Sequence, residues 1–210
     1  MNESNGMRTR LLAIYEDVGR RTRATGEAHP WWPCRRGCDT CCRRLAEVPR
    51  LGRAEWQLLR EGLAALAPDV RHAVDRRIED LASAEREGRL PRHITCPMLD
   101  EAEGACRVYA HRPGACRTYG FYVERDLGLH CELVTEAVAA RSGGDDEDDA
   151  PVVWGNQEGV DYALARLGDE VEAPLPLTAW ASSSRGSSPE PLEPLPRDRE
   201  PDPSRPSSAM

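Results

Sequence analysis

The sequence contains no lysine and only one phenylalanine. All 28 basic residues are therefore arginine, a bias that we attribute to a GC-rich genome rather than to function. Because Trp and Tyr supply nearly all of the aromatic volume, a chain of 210 residues should bury only a modest apolar core. We therefore expect a second source of stability besides apolar burial.

Long apolar runs are also missing. The stretch Leu11–Ile14 near the N-terminus is too short for the hydrophobic region of a signal peptide, and no run approaches the length of a membrane span. We therefore expect a cytoplasmic protein without a membrane partner. In a reducing compartment persistent disulfides are unusual, and clustered thiols more often bind metals or react.

The known nucleotide and hydrolase motifs are absent: there is no GxGxxG, no P-loop and no nucleophile elbow. The formal net charge of -8 opposes binding to a polyanion, although residues 1–53 are basic. Trp31 and Trp32 lie beside that basic segment and could stack on bases, but aromatic residues next to a metal site more often exclude water from it. Nucleic acid is not an expected partner.

Apolar residues recur at helical spacing in several segments. We predict helices over residues 7–24, from Arg53, from Pro68 to Gly88, from near Cys131 and over 160–167. Between Pro91 and Cys131 the periodicity fades, which indicates irregular chain with a short hairpin around Val108. Pro113 is expected to start a short helix that presents Cys116.

The C-terminal part of the chain is less regular. The segment PVVW, residues 151–154, is predicted to be a short strand, and the acidic run Gly143–Asp149 a solvated loop rather than a cation site. From Ala173 onward Pro, Ser, Glu and Arg dominate. Such a composition buries too little apolar area to offset chain entropy, so residues 173–210 are predicted to be a disordered tail.

Eight cysteines dominate the candidate chemistry: Cys34, Cys38, Cys41, Cys42, Cys96, Cys106, Cys116 and Cys131. The two residues between Cys38 and Cys41 allow a tight turn to aim both sulfurs at one point, as zinc-thiolate and iron-sulfur sites require. Cys42 cannot point the same way as Cys41 without strain, so we expect it to face a second metal or the far side of a cluster. Eight thiols would fill two tetrahedral sites, or one iron-sulfur cluster with four thiols to spare.

Other residues near the cysteines have supporting roles in this hypothesis. His93, His111 and His130 could each replace a thiolate ligand, but with eight thiols present we expect them beside a metal or in solvent. Bound thiolates carry excess negative charge, which nearby guanidinium groups would offset. The arginines close to cysteines in sequence are Arg35, Arg36, Arg43, Arg44, Arg107, Arg112 and Arg117. Buried structural thiols or disulfides are the competing explanation.

The order of these motifs resembles that of the YkgJ-type cysteine cluster proteins, the CxxCxxCC family described as zinc- or iron-chelating proteins. The resemblance spans Cys34 to Cys131, and three residues rather than two separate Cys34 from Cys38. The matching motifs are CRRGCDTCC, Cys96-Pro97 with Leu99-Asp100, Cys106 with Tyr109, and Arg112-Pro113 with Cys116-Arg117. The resemblance implies that the cysteines bind zinc or iron, with Tyr109, Arg112 and Arg117 around the metal-bound sulfurs.

The resemblance implies no settled reaction, and no catalytic residue is assigned. Flagellin lysine methylases are similar in carrying such a cluster. An iron-sulfur enzyme or electron-transfer component, for example one related to protein lysine methylation, is therefore the alternative to a metal-binding protein. Thiolates suit zinc and iron alike, so the sequence does not choose between them.

We therefore predict a mainly α protein. A small helical domain, residues 1–172, should surround an irregular cysteine-rich metal-binding centre at residues 34–131, followed by the disordered tail. The two cysteine segments should converge, so that the helices between Arg53 and Gly88 form a closed excursion. Each structural zinc would then contribute on the order of 10 kcal/mol to folding.

Overall fold

The structure is a computed structural model, and it describes residues 3–35, 37–125, 127–128, 130–141, 151–168 and 171–183. The α-helices in these residues are α1 (Glu3–Ala28), α2 (Thr40–Arg43), α3 (Arg53–Ala64), α4 (Pro68–Arg86), α5 (Gly114–Thr118), α6 (Glu132–Arg141), α7 (Gln157–Ala165) and α8 (Leu177–Ser183). Residues Tyr109–His111 form a 3-10 turn. The prediction of a mainly α fold is confirmed.

The strands are short, with two or three residues each. They are β1 (Arg50–Leu51), β2 (Leu99–Asp100), β3 (Ala105–Cys106), β4 (Tyr122–Glu124), β5 (Leu127–Gly128), β6 (Gly155–Asn156) and β7 (Leu175–Pro176). β1 pairs with β7 and β2 with β3, both antiparallel. In the third sheet β4 lies between β5, which is antiparallel to it, and β6, which is parallel.

The predicted helices form where the sequence has their start signals. Glu55, in the first turn of α3, accepts a hydrogen bond from the Gly52 N–H at 2.8 Å, which satisfies a donor that the helix leaves free. α4 begins with Pro68 at its first position, where the missing N–H costs nothing. Both helices, the helix that follows Cys131 and the short helix after Pro113 are confirmed, while α1 extends beyond residues 7–24 at both ends.

The apolar core lies on both sides of α3. One side of α3 packs Trp56, Leu59 and Leu63 against α4 and against the segment that holds Ile94 and Leu99. The other side joins α1, and the members of this second cluster are Leu11, Tyr15, Ala54, Leu58 and Leu167. α3 is therefore the central helix, and it contributes residues to both clusters.

Two predictions of strands differ in position from the strands that the structure contains. The hairpin expected around Val108 is formed by β2 and β3, because Gly104 adopts a positive φ of 62° and the Asp100 carboxylate accepts the N–H of Ala102 at 3.1 Å. Val108 instead precedes the 3-10 turn. The strand expected over residues 151–154 is wrong, since the strand is Gly155–Asn156 directly after them.

The predicted start of the disordered tail at residue 173 is also wrong. β7 and α8 continue the fold to Ser183, and Leu177 is fully buried. The Trp180 Nε1 donates to the Leu51 carbonyl at 2.8 Å, and its ring stacks on Trp56 with centroids 6.5 Å apart. A few apolar anchors within a Pro-rich segment outweigh its average composition. The acidic run 143–149 and residues 184–210 lie outside the described residues.

In the part of the chain that the structure describes, no helix is both long and apolar enough to span a bilayer.

Candidate metal centre

The two cysteine segments meet, as predicted. The backbone N–H of Cys96 donates to the carbonyl of Cys42 at 2.7 Å. Next to this contact Leu45 and Ile94 form an antiparallel bridge with both of its hydrogen bonds, at 3.0 and 2.9 Å. The chain between them, with α3 and α4, therefore forms the expected closed excursion.

Cys41 and Cys42 lie side by side at the centre of the cysteine-rich region. Both are on the short helix α2, and their sulfurs are 4.0 Å apart. The hydrogen bond between the two thiols is the largest cause of the raised pKa of Cys41, followed by burial. Cys42 has Cys96 and Cys106 as further neighbours, whereas Cys41 has Cys34 on one side and Cys106 and Cys116 on the other. We therefore sort the eight cysteines into two groups that meet at Cys41.

The first group, which we call the core-side group, consists of Cys42, Cys96, Cys106 and Cys116. The hydrogen bond from Cys41 lowers the pKa of Cys42, but the hydrogen bond with Cys96, burial and the charge of Cys106 raise it to about 12 overall. Burial, opposed by the cation of Arg112 and reinforced by Cys42 and Cys106, raises the pKa of Cys116 to about 12. Cys96 belongs to the apolar core, and Cys42 and Cys106 pack against it.

The second group, which we call the outer group, consists of Cys34, Cys38, Cys41 and Cys131. Burial, and then the charges of Cys131, Cys38 and Cys41, raise the pKa of Cys34 to about 12. Cys131 precedes α6 directly, and its carbonyl accepts the N–H groups of Val134 and Thr135 at 3.1 and 3.2 Å. Cys41 also raises the pKa values of Cys106 and Cys116, so it lies between the two groups.

Tyr119 is a neighbour of the outer group that the sequence did not reveal. Burial, and then the charges of Cys131, Cys41 and Cys34, raise the pKa of its hydroxyl. Its side chain keeps 37% of its surface exposed. A Tyr three residues after a cysteine at the end of a short helix was the only signal available for it, and that signal is weak.

The three residues expected around the sulfurs have different positions. The Arg112 cation lowers the pKa values of Cys41, Cys106 and Cys116, so it lies close to both groups. Arg112 also stacks on Tyr109, with its guanidinium carbon 3.6 Å from the ring centroid.

Arg117 supports the loop that carries Arg112. Its Nε donates to the carbonyl of Arg112 at 2.8 Å and its Nη2 to that of Ala110 at 2.5 Å. The guanidinium carbon also lies 4.2 Å from the centre of the Tyr15 ring.

Several other arginines pair with carboxylates, which does not match the expected compensation of thiolate charge. Arg44 contacts Glu132 at 3.1 Å and Arg107 contacts Asp100 at 3.0 Å. Arg43 bonds the Asp39 carboxylate at 2.6 Å and the Glu101 carbonyl at 2.9 Å. The contacts of Arg43 and Arg44 join α2 and the residue after it to the β2–β3 hairpin and to α6, whereas Arg107 and Asp100 both belong to the hairpin region. Arg36 lies outside the described residues.

The three candidate histidines have other surroundings. His130 stacks on Trp154 with ring centroids 5.1 Å apart, and burial lowers its pKa. Burial is also the main cause of the lowered pKa of His111, whose ring lies against the backbone of Gly62 in α3. His93 is exposed.

Aromatic residues pack together next to the outer group. Trp32, two residues before Cys34, is 4% exposed and lies 5.8 Å from Phe121 and 5.5 Å from Trp154, measured between ring centroids. Such burial makes Trp32 unavailable for stacking on a nucleic-acid base.

The donor chemistry fits zinc or iron. All eight cysteines are free thiols, and both ends of the helical excursion contribute to each group. Among the described residues, however, no three Cys, His, Asp or Glu side chains are close enough together to hold an ion as they stand. The cysteines of each group are neighbours, but their sulfurs would have to move closer together to bind an ion.

The helical fold and the two gathered thiol groups define a cysteine cluster protein. A model of the CxxCxxCC family, described as a "Putative zinc- or iron-chelating domain", matches residues 33–137, which include all eight cysteines. The chain therefore belongs to this family. No curated protein and no solved structure matches it.

Proposed function

We propose that the protein binds two zinc or iron ions, one through the core-side group and one through the outer group. The observation that carries this proposal is that the adjacent residues Cys41 and Cys42 reach different cysteines at their outer sides. Cys42 is close to Cys96 and Cys106, whereas Cys41, which also lies near Cys106 and Cys116, is the one that reaches Cys34. Each group has the four thiols of a closed tetrahedral site.

The chain prepares the sulfurs for binding in two ways. In the metal-free protein, crowding and burial raise the pKa values of Cys34, Cys42 and Cys116 to about 12, so these thiols are protonated at neutral pH. An ion binds the thiolate form and must displace these protons. The fixed cation of Arg112 favours the charged form at both groups, because it lies close to members of each.

The bound ions would stabilise the fold by joining distant segments. The core-side group joins residues before α3 to residues after α4, and the outer group adds Cys131, directly before α6. A structural zinc contributes on the order of 10 kcal/mol, which is comparable with the whole stability of an average domain. Bound metal is thus a candidate for the second source of stability that the modest core calls for.

The test is elemental analysis of protein purified without oxygen, together with acid-labile sulfide and visible absorption. We expect two equivalents of zinc or iron, no sulfide, and one equivalent lost in either Cys41→Ser or Cys42→Ser. Thr40→Ser, on the same helix, should keep both equivalents and serves as the control. Protein without metal, or with disulfides in place of thiols, would overturn the proposal. Sulfide in stoichiometric amount would replace it with the iron-sulfur alternative.

A further inference from the structure

We infer that the two thiol groups have different tasks: the core-side group holds a resident structural ion, whereas the outer group exchanges zinc or iron with thiol-bearing molecules in solution. This inference rests on the proposed function, because it needs two ions. It goes further in assigning a role to each site. The two groups differ in the part of the fold to which each is attached, although most of the thiols are partly exposed in both.

The core-side group is held by the hydrophobic core. Cys96 is 6% exposed and lies in the same cluster as Ile94 and Met98. Cys106 is in β3, paired with Leu99, which is 1% exposed. Removing an ion from these sulfurs would require the core to open, and the unfolding barrier would oppose that.

Cys116 has a comparably rigid support. It lies on α5, where Gly114 and Thr118 are buried. The N–H of Gly114 is anchored by the buried carboxylate of Glu55 at 2.7 Å. The fourth ligand of the core-side group is therefore tied to α3, as the other three are tied to the core.

The outer group is not attached to this core, and its packed neighbours are the aromatic residues around Trp32 and the single buried residue Val134 of α6. Cys34, Cys38 and Cys131 stand outside both apolar clusters of the described residues. Of the residues of α6, which follows Cys131, only Val134 is buried. The ion pair between Glu132 and Arg44 is exposed by 77% and 50% at its two side chains, and such surface pairs are worth about 0–1 kcal/mol. We therefore expect Cys131 to move away with less disturbance of the core than any member of the core-side group.

Tyr119 lies where an incoming molecule would approach. It follows α5 directly and is 37% exposed, while the adjacent Gly120 lies so close to Cys34 that an added Cβ would be 2.4 Å from the sulfur. The backbone thus covers one side of the outer group, and the Tyr119 ring partly covers another. We expect this ring to slow the entry of a competing ligand.

Exchange at the outer group is a ligand substitution without electron transfer. The thiolate of the incoming molecule forms a bond to the ion, and the bond from one protein thiolate, expected to be that of Cys131, breaks. The released thiolate takes a proton from water. Uptake of an ion is the reverse sequence.

The test uses the full chain loaded with two equivalents of zinc and challenged with excess glutathione and a zinc-responsive dye. We expect two phases of release that differ at least about a hundredfold in rate, with only the slow phase tracking global unfolding. Cys131→Ser should remove the fast phase and keep the slow one. Cys106→Ser should remove the slow phase and lower the melting temperature, and if this variant fails to fold, the wild-type phases still decide the question.

Tyr119→Ala provides a second measurement on a variant that keeps all eight thiols. It should accelerate the fast phase several-fold and leave the slow phase unchanged. Tyr162→Ala is the control, because Tyr162 is 63% exposed on α7. Release of both ions in one phase that follows unfolding would overturn the inference and leave the two-ion proposal standing. Failure to load zinc at all would overturn the proposed function itself.

Discussion

The carboxylate of Glu55 accepts a hydrogen bond from the backbone N–H of Gly114, with the oxygen and nitrogen 2.7 Å apart. The same oxygen accepts the Tyr15 hydroxyl at 2.8 Å, and the other carboxylate oxygen accepts the Gly52 N–H. Glu55 is 5% exposed, so these three donors replace the water that would otherwise hydrogen-bond the carboxylate oxygens. One buried group thus joins α1, α3 and the helix that carries Cys116.

Glu55→Gln should destabilise the protein and weaken the slow metal site. The amide keeps the size of the side chain but turns one acceptor into a donor, which then faces an N–H or O–H group. We expect a loss of about 1–3 kcal/mol in the free energy of unfolding by urea, and a faster slow phase of zinc release. Glu47→Gln, at an exposed position, should change neither. An unaltered slow phase in Glu55→Gln would show that the carboxylate does not position Cys116.

Glu55 has one hydrogen-bond partner that the sequence predicts and two that it does not. A Glu in the first turn of a helix predicts a local cap, and that cap is present. Its partners Tyr15 and Gly114 are 40 and 59 residues away, and no local pattern links them. Helix starts could be predicted because their signals lie within one turn, whereas tertiary hydrogen bonds depend on how the helices pack.

The cysteines also depend on tertiary contacts. The adjacent positions of Cys41 and Cys42 predicted that they would face different ways, but their sulfurs lie 4.0 Å apart on α2. Which later cysteine joins which group could not be predicted, because it depends on the contact between Cys42 and Cys96 and on the register of Leu99 with Cys106. Tyr119 was missed for this reason, and Trp180 because composition averaged over the tail concealed one anchoring residue.

Gly120→Ala should damage the outer group specifically. Gly120 has a φ of 88°, and an added Cβ would lie 2.4 Å from the sulfur of Cys34, so that sulfur must move. We expect loss of the fast-exchanging equivalent of zinc, together with about 1–2 kcal/mol of backbone strain. The measurement is zinc content and urea unfolding of the same preparation.

Gly88→Ala is the matched control for Gly120→Ala. Gly88 has a φ of 63°, but an added Cβ there would meet nothing within 4 Å. It should show a similar loss of stability with both equivalents of zinc retained. Equal zinc content in the two variants would mean that Cys34 is not a ligand.

Two helical glycines should respond to alanine with opposite signs. At Gly62 in α3, an added Cβ would lie 2.6 Å from the Cγ of His111, close to the base of that side chain, so the 3-10 turn must shift. We expect Gly62→Ala to cost about 1–3 kcal/mol. At Gly26 in α1 there is open space, and Gly26→Ala should stabilise the protein by about 0.5–1 kcal/mol. Thermal and urea unfolding measure both, and a neutral Gly62→Ala would contradict the packing of His111 on α3.

Shortening the chain from its C-terminus should produce a sharp loss of stability between residues 183 and 174. The composition of residues 184–210 predicts no burial, so ending the chain after Ser183 should leave the free energy of unfolding within about 0.5 kcal/mol of the full chain. Ending it after Pro174 removes the buried Leu177, whose N–H donates to the Pro49 carbonyl at 2.9 Å, and the stacked Trp180.

The shorter chain should lose at least about 3 kcal/mol, because the fully buried Leu177 contributes about 1.5–3 kcal/mol and the partly buried Trp180 adds its stacking on Trp56 and its hydrogen bond to the Leu51 carbonyl. Urea unfolding followed by far-ultraviolet circular dichroism measures the difference, since the long helices α1, α3 and α4 are common to both chains. The core-side group packs on the same cluster as Leu177, so the slow phase of zinc release should accelerate in parallel. Normal slow release from the chain ending after Pro174 would show that the core and the core-side group are not coupled.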